Sequence, residues 1–120
     1  NIVEARESGR PAVIHGNVRN DGFIPNLLAG GCVEVPVLVD ATGFHPTYFG
    51  PLPPQLAALD AAHMYVHELL VRAVLERDPG AACQALMLDP LTAAVLSPAE
   101  IRALFDEMWA AEREDLQAYA

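Results

Sequence analysis

Lysine is absent, and seven arginines stand against sixteen acidic residues, for a net charge of −9. A phosphate-backbone partner needs a basic face, so this balance argues against nucleic acid. Without lysine there is neither a Schiff-base amine nor a P-loop cation, and no G-x-G-x-x-G follows a strand-like run. Serine occurs twice, at Ser97 before a proline-led helix and at Ser8 at the end of the opening one, so each has a local role and a serine hydrolase is disfavoured. Cys32 and Cys83 lack C-x-x-C spacing and are too few for the framework of a small secreted domain. Both read as reduced core residues, as in a cytoplasmic protein. No apolar run reaches the roughly 18 to 20 residues of a membrane helix, and no basic-then-apolar leader opens the chain, which predicts a soluble protein without a membrane partner.

What is present suits a folded segment: 52% of the 120 residues are apolar and 19% charged, enough for one core and one domain spanning 1–120. Twenty alanines beside the missing lysine hint at a GC-rich bacterial source. The first residue is Asn1, and Asn1 to Glu7 reads as the tail of a helix stopped at Gly9 with Pro11 beyond, so a piece of a longer protein is expected.

Ala12 to Val18 suits a short strand with a tight spot at Gly16, and residues 19–31 (RNDGFIPNLLAGG) form an irregular loop around a few apolar anchors. Val33, Val35, Val37 and Val39 alternate with Glu34, Pro36, Leu38 and Asp40, the clearest strand in the chain, placed at a sheet edge or bulged because Pro36 cannot donate to a ladder. Asp40-Ala41-Thr42-Gly43 supplies a turn into a returning strand within Phe44 to Phe49. A helix from Pro54 to about Arg77 carries Leu56, Leu59, His63, Val66, Leu70 and Ala73 on one stripe. Ala81 to Leu88 is a shorter helix stopped at Asp89-Pro90. Ser97-Pro98-Ala99-Glu100 then caps a last helix with its stripe at Ile101, Leu104, Phe105 and Met108. The fold class is α/β of the α+β type, a small antiparallel or mixed sheet packed with three or more helices.

Candidate chemistry is sparse. His63 and His67 share a helix face, yet H-M-Y-V-H lacks the glutamate placement of H-E-x-x-H, and a space-filling role suits His63 better. Glu34 and Asp40 on one extended strand lie about 20 Å apart at ~3.3 Å per residue, too far for the two carboxylates of an ordinary glycosidase. Cys32 with His15 or His45 could form a nucleophile and base, but nothing in the sequence brings them together.

The blocks Glu7-Ser8-Gly9-Arg10-Pro11, Asn17-Val18 through Asn20-Asp21-Gly22-Phe23-Ile24-Pro25-Asn26-Leu27, and Val33-Glu34-Val35-Pro36 closely resemble the C-terminal part of glycoside hydrolase family 4. Gly50 to Leu56 and Leu88 to Ser97 resemble its α-galactosidase branch in particular; Leu28 departs from the family's usual Asn-Leu-Pro. The resemblance implies a fold similar to the C-terminal domain of lactate and malate dehydrogenase-like enzymes. It also implies a parent glycosidase that uses NAD and a divalent metal, typically Mn2+, to oxidise the sugar, eliminate the aglycone, add water and return the hydride. The family's dinucleotide loop, metal ligands and proton-transfer residues lie upstream of the matched blocks, so no catalytic, cofactor or metal residue is assigned in this chain. Expected partners are the N-terminal NAD-binding domain, the sugar and a second copy in a homodimer or larger oligomer. The alternative is a free-standing, non-catalytic binding or interaction module. Asn20 and Asn26 are the candidates for the substrate cleft, since an amide can donate to and accept from sugar hydroxyls; capping of their own loop is the other reading of both.

Overall fold

A computed structural model describes residues 1–119, which fall in two units, 1–57 and 58–119. In the first, α1 (Ile2–Ser8) ends on Gly9, whose φ of 72° is the left-handed cap conformation that a side chain would strain. Ser8 is locally occupied: its hydroxyl donates to the Glu4 carbonyl and accepts from the Arg10 N–H. The strands β1 (Ala12–Arg19), β2 (Cys32–Asp40) and β3 (Gly43–Pro46) form a sheet in the order β1-β2-β3, with both pairings antiparallel.

The register follows from the valines. Val33, Val35, Val37 and Val39 all point to the buried face, where Val18, Gly16, Ile14 and Ala12 oppose them. Gly16 is the expected tight spot, since a Cβ there would stand 3.1 Å from Val37 Cγ2. Two expectations need correction. β2 is the central strand, not an edge. Pro36 is tolerated because its carbonyl faces the β3 side, where it accepts from the Thr47 N–H and hydroxyl just beyond the last paired residue, Pro46. In an antiparallel strand the N–H of a residue shares the side of its C=O, so the missing donor of Pro36 falls where the ladder has ended. Cys32, read as a core thiol, is exposed at the start of β2, on the face opposite the valines; Cys83 is buried as expected.

The second unit is helical. α2 (Pro54–Glu76) starts in the first unit and runs into it, followed by α3 (Pro79–Leu88), α4 (Pro90–Val95), α5 (Pro98–Ala111) and a single 3-10 turn at Gln117–Tyr119. Three of these helices open by one device: Asp78, Asp89 and Ser97 accept hydrogen bonds from first-turn N–H groups, and Pro79, Pro90 and Pro98 occupy the first helical position, where the proline's missing donor costs nothing. The reciprocal capping box of Ser97 and Glu100 is formed as expected. The same device moves the start of α3 back from Ala81 to Pro79, and it turns Asp89-Pro90 from a mere stop into the start of α4.

The expected stripe on α2 holds only in part. Val66 and Ala73 are buried, while Leu56, Leu59, His63 and Leu70 are exposed. Tyr65, Val71, Val74 and Leu75 are exposed as well, so apolar residues ring the helix instead of lining one face. On α5, Ile101 is buried, Leu104 and Phe105 are half-buried and Met108 is exposed. No described helix is long and apolar enough to cross a membrane.

Candidate functional site

The loop between β1 and β2 contains both candidate amides, and the structure gives them different surroundings. Its neck is closed by backbone bonds: the Asn20 N–H donates to the Gly31 carbonyl at 2.7 Å, and the Gly30 N–H donates to the Asn20 carbonyl at 2.9 Å. The Asn20 side chain is 2% exposed. Its Nδ2 lies 2.9 Å from the Ile24 carbonyl, 3.3 Å from that of Leu27 and 3.2 Å from that of Leu28, while Oδ1 accepts from the Ile24 N–H at 3.1 Å. Two amide hydrogens shared among three carbonyls leave none for a ligand.

Asn26 is exposed, at the outer turn of the same loop. It pairs with the backbone of Leu52 in both directions, donating from Nδ2 to the carbonyl at 2.8 Å and accepting at Oδ1 from the N–H at 2.9 Å. One Nδ2 hydrogen is left over. The Phe23 carbonyl accepts from the N–H groups of Phe49 and Gly50, so the loop is fastened to residues 49–52 at two points. Ile24 and Leu27 anchor it from below as buried apolar residues.

A second polar cluster, not foreseen as such, sits at the β2–β3 turn. Asp40 Oδ1 accepts from the Thr42 hydroxyl at 2.6 Å, from the Thr42 N–H at 2.7 Å and from the Gly43 N–H at 3.2 Å, and it lies 3.2 Å from His45 Nε2. The Thr42 hydroxyl and the Thr42 N–H, with lesser help from His45 and the Gly43 N–H, pull the Asp40 carboxyl down to about 2 against the opposing effect of burial. The Thr42 hydroxyl and the Asp40 carboxylate both meet the imidazole at the same nitrogen, Nε2, so this is not a relay of acid, base and nucleophile through the two ring nitrogens. Arg6 adds donors to the carbonyls of Asp40 and Ala41, tying α1 to the turn. The sequence signal was the Asp-Ala-Thr-Gly turn, in which an aspartate commonly bonds the backbone two residues on.

In the helical unit His63 and His67 are both exposed. Asp89 is held below the ordinary carboxylate range chiefly by the Thr92 hydroxyl and N–H, with a smaller contribution from the charge of His63. Arg102 pairs with Asp106 and directs a weak contact at the buried Cys83 sulfur, 3.9 Å away. Phe105 stacks on Trp109 at 5.2 Å, and Tyr119 meets Trp109 edge-on. Among the described residues no three His, Cys, Asp or Glu side chains converge as metal ligands. The one strand-to-helix connection, between Pro46 and Pro54, holds a single glycine, Gly50. The described residues therefore do not by themselves fit a manganese ion or a dinucleotide.

Comparison with known proteins accounts for the ordered blocks. Residues 1–92 match the family 4 glycosyl hydrolase C-terminal domain. The α-galactosidase of Bacillus subtilis (strain 168) is 38% identical over 118 residues, covering 98% of this chain and 27% of that protein. The α-galactosidase of Rhizobium meliloti (strain 1021) is 35% identical over 119 residues, covering 99% of this chain and 24% of that protein. Among solved structures, the Thermotoga maritima 6-phospho-β-glucosidase with manganese, NAD+ and glucose-6-phosphate superposes with a TM-score of 0.78 at 25% identity, over 94% of this chain and 28% of its own. A 6-phospho-α-glucosidase from gut microorganisms, in complex with NAD and glucose-6-phosphate, gives a TM-score of 0.78 at 26% identity, over 94% and 25%. This chain thus spans about a quarter of the length of these relatives. By its sequence blocks, its sheet and its helices, the chain belongs to glycosyl hydrolase family 4, as the C-terminal domain.

Proposed function

We propose that this chain is the C-terminal domain of a longer, cytoplasmic α-galactosidase-like enzyme that cleaves glycosides by NAD-dependent oxidation and elimination with a divalent metal. The observation that carries the reading is its likeness to two α-galactosidases along nearly its whole length. Dinucleotide and metal would be held by residues outside those described, since these offer neither a ligand cluster nor a phosphate cradle. The part assigned to this domain is to pack against the NAD-binding domain, to supply one wall of the sugar cleft through residues 20–31, and to contribute contacts in a homodimer or larger homo-oligomer. The ring of apolar residues on α2 supports the packing role, because a helix apolar around its circumference is built to be covered.

The test uses the intact natural protein, freed of nucleotide and treated with a chelator. Hydrolysis of p-nitrophenyl α-galactoside is expected only after both NAD and Mn2+ are restored, with 6-phosphoglucosides turned over poorly. Full activity without added or bound NAD would sink the proposed mechanism, and a preference for the phosphorylated glycoside would move the protein to another branch of the family.

A further inference from the structure

We propose that Asn20 is a positioning residue of the sugar site, its buried carboxamide fixing the path of residues 21–31 and so the stance of the Asn26 amide toward the substrate; this rests on the reading of that loop as a cleft wall. Asn20 directly follows β1, whose inward residues are held against the β2 valines, so its backbone is fixed by the sheet. From that fixed point one amide reaches carbonyls four, seven and eight residues ahead and also takes the Ile24 N–H. The Asn20 N–H and C=O meanwhile close the loop's neck through Gly31 and Gly30. A rigid element thus dictates an irregular one through a single side chain. Aspartate could accept from Ile24 but would turn a negative charge on three carbonyls, and serine has one hydrogen and a shorter reach.

Asn26 is the complementary part. Its two bonds to Leu52 orient the carboxamide, and the remaining hydrogen is a side-chain donor the loop can offer to a sugar hydroxyl. If Asn20 acts by placing Asn26, removing either should weaken substrate binding, and removing both should add little more.

The experiment uses the intact enzyme with Asn20→Ser, Asn26→Ala and the pair, assayed for KM and kcat and followed by amide hydrogen exchange. In Asn20→Ser the Ile24 and Gly30 amides are expected to exchange about tenfold faster or more through local opening of the loop. KM should rise by roughly tenfold in each single variant with kcat held within about twofold, the pattern of lost binding rather than a lost active fraction. The double variant should match the worse single one. Faster exchange with KM raised in Asn26→Ala but unchanged in Asn20→Ser would overturn the positioning role, as would exchange that Asn20→Ser leaves untouched; KM unchanged in both single variants would instead overturn the cleft-wall reading on which it rests. Should Asn20→Ser fail to fold, the unmodified enzyme still decides: an Ile24 amide that exchanges as fast as exposed loop amides would show that the latch is not formed, and Asn26→Ala, a surface change, still reports on KM. Failure of the broader functional reading is separate, since it shows in the unmodified enzyme as activity independent of NAD.

Discussion

In the first unit the β2 valines turn inward without exception and the loops are fastened by the side chains of Asn20, Asn26, Asp40 and Arg6, whereas the second unit starts three helices on firm caps and then leaves much of their apolar surface bare. Val35 and Val39 are 0% exposed, while Leu75, Leu91 and Val95 are at least 75% exposed. Both units are apolar enough to fold, but they use that material differently. The sheet unit buries one face of its central strand and fixes its irregular backbone with specific hydrogen bonds. The helical unit fixes the starts of α3, α4 and α5 with side-chain caps and leaves apolar surface exposed, a contrast that supports the proposed division between a binding loop and a packing surface.

The largest expected effect tests how thin the second core is. Ile101 is the one large side chain of the helical unit that is almost fully buried, at 1% exposure among the described residues. Ile101→Ala should cost about 2–5 kcal/mol, since the lost transfer energy and the cavity left behind add. The measure is the urea midpoint of the intact protein. An unchanged midpoint would show that α5 is held by contacts elsewhere and that the contrast between the two cores is false.

A smaller effect tests the bare surface. Leu75 is 78% exposed on α2, and Val13, 66% exposed on the outer face of β1, is its counterpart in the first unit. If α2 is covered in the intact enzyme, Leu75→Asp should destabilise by about 1.5–3 kcal/mol, the range for a fully buried leucine. Val13→Asp should stay within about 0.5 kcal/mol, as exposed positions do. Equal tolerance at both positions would break the comparison. Equal sensitivity would mean that the outer face of the sheet is covered as well.

The same contrast explains how much could be read from the sequence. β2 was legible because β-branched residues at every second position admit one face and one register, and Gly9, Gly16 and Ser97 were legible because a cap or a close approach restricts the residue type locally. α4 was hidden because six residues are too few to show a period, so Asp89-Pro90 read only as a stop. The buried side of α2 is not legible because an apolar ring has no phase to read, and any stripe of three-and-four spacings can be drawn on it. The central place of Pro36 depends on β3 ending at Pro46, a fact of pairing that the strand itself does not encode. For the candidate site, the two asparagines were visible as amides in a loop, but the sequence left open which carbonyls they meet. Those bonds span four to twenty-six residues and exist only once the loop has its path.

The smallest expected effect concerns the turn that closes the sheet. Asp40 titrates near 2 in the folded protein against an ordinary value of 3.8, chiefly because the Thr42 hydroxyl donates to its carboxylate. A carboxyl whose folded value is depressed binds fewer protons folded than unfolded, so its contribution to stability is fully present above the unfolded value and is lost as pH falls through the folded one. The window runs from just above 3.8 down to about 2. Acid unfolding of the whole protein involves many of its sixteen acidic residues, so the informative quantity is a difference between two proteins. Thr42→Val keeps the backbone donors of Thr42 and Gly43 but removes the hydroxyl, which should bring the Asp40 carboxyl back toward its ordinary range. Stability measured at intervals from pH 6 to pH 2 should then show a constant deficit in the variant above about pH 4 that shrinks as the wild-type carboxylate is protonated. A deficit that stays flat to the lowest pH would mean that the hydroxyl serves the turn by geometry alone, and that the sheet unit's polar ties are less electrostatic than their short distances suggest.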